Sequence, residues 1–317
     1  MKKGLVIKST GNWFTVKTET DGLLRCRVKG NFRIREIKST NPVAIGDWVM
    51  YRTDTAENPN SVEKTGLITD ICDRKNYIVR RSQNLSKQAH IIAANIDLAF
   101  LVTTINFPVT STTFIDRFLA SAEAYRIPVA IIFNKIDLYN EDENNFMEYL
   151  SGVYENIGYS CLRTSAINET GIDDLKSMMK DRTTVFSGHS GVGKSTLINL
   201  VEPRLNLKTD SISDYHQKGK HTTSFSELFE LSFGGYIIDT PGIKGFGMLD
   251  MEPWEISHYF PEIFKISTAC QYKNCSHTHE PACAVKEAVK KSEIAETRYW
   301  SYLSLLESDD NKYRKPQ

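Results

Sequence analysis

Short apolar runs separated by glycine-containing pairs fill the first part of the chain. Leu5-Val6-Ile7, Trp13-Phe14-Thr15-Val16, Leu23-Leu24-Arg25-Cys26-Arg27-Val28 and Trp48-Val49-Met50-Tyr51 are β-branched or aromatic stretches of strand length. Gly11-Asn12, Asp21-Gly22 and Gly30-Asn31 stand between them, where glycine and asparagine supply turn conformations that other residues resist. Gly66-Leu67-Ile68 adds a further run after Gly46-Asp47. About five strands joined by tight turns predict a small barrel; an oligonucleotide-binding (OB) type fits, and an SH3-like barrel fits nearly as well. Residues 1–75 are assigned to it.

The texture then changes to alternating strand and helix patterns. Leu98-Ala99-Phe100-Leu101-Val102, Val129-Ala130-Ile131-Ile132-Phe133, Thr184-Val185-Phe186-Ser187 and Tyr236-Ile237-Ile238 read as strands. A helix is expected over residues 114–125, opened by threonines able to cap it, and another from Ser195 through Leu200. Repetition of strand, loop and helix implies a mostly parallel sheet with ligand loops at the strand carboxyl ends. Residues 76–247 are read as this α/β domain. Residues 248–317 are helical by pattern, with segments from Trp254 onward, over 282–292 and over 295–306, and a tail from residue 311 expected to be disordered.

Three loops of the α/β domain carry chemistry. Gly188-His189-Ser190-Gly191-Val192-Gly193-Lys194-Ser195-Thr196 follows a strand and opens a helix, the setting of a phosphate-binding loop. Its glycines let backbone N–H groups turn toward phosphate oxygens, and the helix adds its positive dipole end. Lys194 should reach the β and γ phosphates, and Ser195 should ligate Mg²⁺. Asn134-Lys135-Ile136-Asp137 supplies a carboxylate able to accept from both N1–H and the 2-amino group of guanine, a pair that adenine lacks. Lys135 can lay its methylenes over the base, Asn134 can tie the loop to its neighbours, and Thr164-Ser165-Ala166 can offer a backbone N–H to guanine O6. Asp239-Thr240-Pro241-Gly242 ends a strand, with Asp239 suited to hold the Mg²⁺ shell through water and Gly242 N–H to meet a γ-phosphate. Gly219-Lys220-His221-Thr222-Thr223-Ser224 reads as the first switch, with Thr223 or Thr222 closing on Mg²⁺. The base motif precedes the phosphate loop, the reverse of an ordinary G domain.

Near the C-terminus Cys270, Cys275, His277 and Cys283 form C-x4-C-x-H-x5-C. Three thiolates and an imidazole complete a tetrahedral Zn²⁺ shell with no open position, so the expected role is structural. His279 competes with His277 for the fourth place on residue pattern alone. Cys26, Cys72 and Cys161 lie in strand-like contexts and are read as buried apolar residues.

Composition adds little until it is located. With 40% hydrophobic and 25% charged residues the chain is ordinary for a globular protein, and its formal charge is zero. Residues 1–40 nevertheless hold ten Lys or Arg against three acidic residues, the footprint of a phosphate-backbone binder. The first apolar run stops at Lys8, too short for a signal peptide, and none is long enough to span a membrane. A cytoplasmic protein without a membrane partner is expected.

The rotated motif order, the residues quoted above and the cysteine cluster together resemble the RsgA (YjeQ) family of circularly permuted bacterial GTPases, which act in late assembly of the small ribosomal subunit. The resemblance covers almost the entire chain; Ser224 stands where threonine is expected. It implies a multi-domain α/β architecture with an N-terminal OB-like barrel, a circularly permuted P-loop GTPase domain and a C-terminal helical zinc module, and it favours His277 as the zinc ligand. It also implies GTP and GDP as ligands, with Mg²⁺ and one structural Zn²⁺. The implied partner is the small ribosomal subunit and its rRNA, and the expected state is a monomer. Ile243 follows the switch glycine where many GTPases place a water-positioning glutamine, so slow intrinsic turnover stimulated by the subunit is expected. His221 is the nearest polar substitute, acting with Lys194 and Thr223. Two rival readings are a GTP-dependent RNA-binding scaffold with negligible hydrolysis, and a permuted GTPase serving the large subunit or tRNA. The chain leaves the second switch through Gly245-Phe246-Gly247 toward the zinc module, so a reordered switch is expected to pull on that module.

Overall fold

A computed structural model describes residues 1–28, 42–54, 65–81, 89–207, 227–239 and 251–313. Five strands, β1 (Lys2–Thr10), β2 (Trp13–Thr18), β3 (Gly22–Val28), β4 (Trp48–Asp54) and β5 (Thr65–Ile71), close into a barrel. Strand β1 pairs antiparallel with both β2 and β4, and a parallel β3–β5 pairing completes the ring. That order decides for the OB type over the SH3-like alternative. Side chains alternate across the wall, so Phe14, Val16, Leu24 and Cys26 fill the interior while Leu23, Arg25 and Arg27 face outward.

A hairpin of β6 (Tyr77–Arg81) and β7 (Ala89–Ala94), absent from the sequence reading, follows the barrel. Gly46 sits at φ +83° against the Ala94 carbonyl, where a Cβ would have no room, and Ala94 N–H donates to Ile45 O at 2.8 Å. The buried Asp47 carboxylate accepts from Arg74 Nε and Nη2, each at 2.6 Å, sealing the same junction.

The α/β domain contains β8 (Leu98–Thr103), β9 (Val129–Asn134), β10 (Ser160–Thr164), β11 (Thr183–Ser187), β12 (Glu227–Glu230) and β13 (Tyr236–Asp239). They lie in the order β10-β9-β8-β11-β13-β12, parallel except for β12. Helices α1 (Thr112–Ala124) and α2 (Glu141–Ile157) pack in one apolar cluster, and α3 (Ile172–Met179) and α4 (Lys194–Val201) in the other. Ser111, and not the threonines, caps α1: its Oγ accepts from Phe114 N–H at 3.2 Å, because Thr112 and Thr113 are already within the helix. Helix α2 opens on a reciprocal capping box between Asn140 and Glu143. Strand β12 also pairs with β1 at Glu227 and Lys8, so barrel and α/β sheet form one eleven-stranded sheet; Lys8–Glu227 at 2.8 Å and Lys17–Glu230 at 2.6 Å flank the seam.

The C-terminal module comprises a 3-10 turn (Ile256–Tyr259), α5 (Pro261–Ser267), α6 (Ala284–Lys290) and α7 (Glu296–Tyr313). Helix runs to Tyr313, two residues past the start of the tail expected to be disordered; residues 314–317 lie outside the described residues. Ile256, Phe260, Ile263, Val285 and Tyr302 pack together with Ala120 of α1, so the module docks on that helix. Arg298, 1% exposed, locks the junction. It donates to Asp116 Oδ1 of α1 at 2.8 Å and to both carboxylate oxygens of Glu262, and its guanidinium lies 4.5 Å from the Phe260 ring. A buried cation needs such partners on every side, since a lone buried charge is strongly disfavoured. Among the described residues no helix is long and apolar enough to cross a membrane.

Candidate nucleotide-binding and metal sites

Strands β9, β10, β11 and β13 end on one edge of the parallel sheet, and the sequence-predicted loops emerge there. After Ser187 the chain turns through Gly188, Gly191 and Gly193, all at positive φ, and enters α4 at Lys194. Gly188 lies against the Val102 carbonyl and Gly193 against the Asn134 side-chain nitrogen, so neither position accepts a Cβ. Val192 is buried and anchors the loop in the core, while His189, Ser190 and Gly191 face outward. Lys194 Nζ donates to the carbonyls of Gly188 at 2.9 Å and His189 at 2.6 Å, which holds the ammonium across the loop. Ser195 is buried and Thr196 half-buried on the first turn of the helix. The His189 ring stacks on Phe114 of α1 with centroids 3.8 Å apart, a contact that sequence reasoning missed. Partial desolvation of the ring and then the Lys194 charge lower its pKa, which favours the neutral imidazole.

Asn134, 1% exposed, joins three segments far apart in sequence. Its Nδ2 donates to Val192 O of the phosphate loop at 2.8 Å, and its Oδ1 accepts from Thr164 Oγ1 at 2.8 Å. Lys135 adopts a left-handed conformation (φ 64°), and its Nζ donates to Phe107 O at 2.6 Å. Half-buried Asp137 accepts from Ser165 Oγ at 2.5 Å, and half-buried Ala166 follows on the same loop. Residues 134–137, the 164–166 segment and the 188–195 loop are thus brought together. Asp239 lies at the carboxyl end of β13, one residue beyond the Val185–Ile238 pair. The switch residues His221, Thr222, Thr223 and Gly242, and the 245–247 exit, lie outside the described residues.

Cys270, Cys275, His277 and Cys283 bring their donor atoms within 4.8 Å of one another. Cys270 and Cys283 sulfurs are 3.9 Å apart, and His277 Nδ1 is 3.6 Å from the first and 3.4 Å from the second. Tetrahedral zinc with Zn–S about 2.3 Å and Zn–N about 2.0 Å sets S···S edges near ~3.8 Å and S···N edges near ~3.5 Å. The donor set fits that ion. His277 is buried within the cluster, whereas His279 is exposed and its Nδ1 lies 2.9 Å from Thr278 Oγ1. Tyr299 and Tyr302 of α7 donate to the carbonyls of His277 and Ser276 at 2.7 and 2.8 Å, fixing the knuckle from outside. Cys26 is buried as expected; Cys72 and Cys161 are only partly so, and Cys72 lies just past β5.

On the barrel, Arg25 and Arg27 stand 4.4 and 4.0 Å from the Trp13 ring on the outward face of β2 and β3. This face joins positive charge to an aromatic platform.

The strand order, the loop at the start of α4 and the preceding base motif define a circularly permuted GTPase. A family model described as the RsgA GTPase matches residues 71–249, and one described as the RsgA N-terminal domain matches residues 3–59. The chain belongs to the RsgA GTPase family and is a GTP hydrolase. It is 58% identical over 313 residues to a Bacteroides thetaiotaomicron protein named small ribosomal subunit biogenesis GTPase RsgA 2, covering 98% of this chain and 99% of the relative. It is 57% identical over 314 residues to a Flavobacterium psychrophilum protein named small ribosomal subunit biogenesis GTPase RsgA, covering 98% and 94%. Among solved structures, YjeQ from Thermotoga maritima superposes with a TM-score of 0.76 at 34% identity over 99% of both chains. YloQ, described as a circularly permuted GTPase, gives 0.75 at 31% identity over 100% of this chain and 97% of its own.

Proposed function

We propose that this GTPase acts on the small ribosomal subunit, binding it in the GTP state and hydrolysing GTP to GDP and phosphate during late maturation of that subunit. The observation that carries the nucleotide reading is the Asn134 side chain. By bonding to Val192 O and Thr164 Oγ1 it fixes the base loop relative to the phosphate loop. Asp137 reads guanine, the 165–166 segment meets its O6, and Lys135 covers the ring. Residues 188–193 wrap the phosphates. Lys194 would bridge the β and γ groups, and Ser195, Thr223 or Thr222, and water held by Asp239 would complete the Mg²⁺ shell. Mg²⁺ supplies charge neutralisation on the phosphate oxygens.

The partner assignment rests on the names of relatives 52–58% identical over nearly the whole chain. The Trp13–Arg25–Arg27 face supports rRNA as the contact, since a flat ring stacks on bases and guanidinium groups bind phosphate. The division at residues 75 and 247 and a monomeric state belong to the same reading. With Ile243 unable to orient water, the subunit reorders the switches and His221 holds the attacking water. Phosphate release should therefore be slow alone and rise at least tenfold with isolated small subunits, while His221→Ala keeps GTP binding and loses the rise. Equal stimulation in that variant removes His221 from the mechanism, and no stimulation of the wild type by subunits favours the scaffold reading.

A further inference from the structure

Tyr139 lies two residues beyond Asp137, outside the base motif, and is 9% exposed. Its hydroxyl donates to the backbone carbonyl of Asn134 at 2.6 Å and accepts from Ile105 N–H at 2.9 Å. Burial pushes its ionisation up to about 12, so the proton needed for the first bond stays in place. Asn134 is the residue whose side chain spans to the phosphate loop, and Lys135 immediately after it takes the left-handed turn. The hydroxyl therefore grips the backbone where the base motif departs from β9.

Two more bonds tie down the 104–110 loop, one to the base motif and one to Glu143 on the first turn of α2. Lys135 Nζ donates to Phe107 O, and Asn106 Nδ2 donates to Glu143 Oε1 at 2.8 Å. The 104–110 loop is itself braced, with Thr104 Oγ1 donating to Pro108 O at 2.5 Å and Thr104 N–H donating to Thr110 Oγ1 at 3.2 Å. It is a stiff buttress behind the base motif, and Tyr139 is its buried bolt.

We propose that Tyr139 is a positioning residue for guanine selection, holding Asn134 and through it the Asp137 carboxylate against the 104–110 loop. The proposal rests on the base reading of Asp137 given above. Removing the hydroxyl leaves Ile105 N–H and Asn134 O without their shared partner, so the motif gains freedom and the carboxylate loses its fixed approach to the base.

Tyr139→Phe keeps the ring in the core and deletes only the oxygen. Binding of GDP and of IDP, which lacks the 2-amino group, is measured on the full chain by competition against a fluorescent guanine nucleotide. GDP binding should weaken about fivefold, and the ratio of the IDP to the GDP dissociation constant should fall about threefold. A lowered Tm with an unchanged ratio identifies a purely structural hydroxyl and overturns the proposal. Should that variant fail to fold, Asn106→Ala cuts another tie from a half-buried position, and the ratio must fall there too or the proposal is overturned. Asp137→Asn, tested beside them, separates the two readings. If it shifts preference to xanthine nucleotides while Y139F keeps the wild-type ratio, only the role of Tyr139 is lost; if it does not shift, the base reading falls and takes this proposal with it.

Discussion

Asp137→Asn should weaken GDP binding by about a hundredfold and bring XDP binding into the range where GDP binding was. A carboxylate accepts from guanine N1–H and the 2-amino group together. An amide in its place presents one donor, which meets the 2-amino group donor to donor and leaves both unsatisfied. Xanthine carries a carbonyl at that position, so the same amide donates to O2 and accepts from N1–H. Ser165 Oγ, which donates to Asp137 Oδ1, can donate equally to an amide oxygen, so the side chain keeps its orientation. Competition binding with GDP, XDP and ADP checks the result. Parallel loss of all three nucleotides would mark loop collapse, and unchanged GDP binding would remove Asp137 from the site.

Removing zinc should release the C-terminal module from the rest of the protein. Metal analysis should find one zinc per chain, and chelation or Cys283→Ser should make α6 and α7 sensitive to protease. Binding energy at a closed thiolate–imidazole site is on the order of 10 kcal/mol and is available only to the folded form. The metal site is built into the apolar packing of the module. Its apolar cluster includes Cys283 and leans on Ala120 of another domain. The consequence reaches α1, because Asp116 loses the Arg298 guanidinium and keeps only the bond donated by Tyr154 Oη. Burial already raises the Asp116 pKa against the opposing pull of Arg298. Losing the guanidinium removes that opposing pull, and the α/β domain should melt earlier. A protease-resistant module after complete zinc loss would contradict this account.

Local patterns were legible wherever a short stretch decides its own conformation. The β-branched and aromatic runs at residues 13–16 and 23–28 marked strands, and the Gly188 to Ser195 spacing marked the phosphate loop between strand and helix. Helix α2 is also written locally, in the Asn140-x-x-Glu143 capping signature. What lies between distant segments left no local trace. The barrel pattern suited two topologies until the β3–β5 pairing chose one. The β1–β12 seam joins residues 8 and 227, and the Asp116–Arg298 pair joins helices from two domains. Neither has a periodicity to read. His277 and His279 are equivalent as letters; burial within the sulfur cluster separates them. The Tyr139 bond to Ile105 N–H likewise has no local signature, since its partner lies 34 residues upstream.

The fold also gives a physical route by which nucleotide could influence both flanking modules. Strand β12 pairs with the barrel and with β13, whose end carries Asp239. Helix α1 stacks Phe114 on His189 of the phosphate loop and binds Arg298 of the zinc module through Asp116. Coupling through such contiguous elements requires that they adopt two arrangements, which nucleotide-dependent binding would reveal.

Co-sedimentation with isolated ribosomal subunits is the most direct test of the proposed function. With a non-hydrolysable GTP analogue the protein should pellet with small subunits, only weakly with GDP, and not with large subunits. Binding should fall steeply with added salt, as expected for contacts to an rRNA phosphate backbone. Equal pelleting with GDP and the analogue, a preference for large subunits, or binding indifferent to salt would contradict the account.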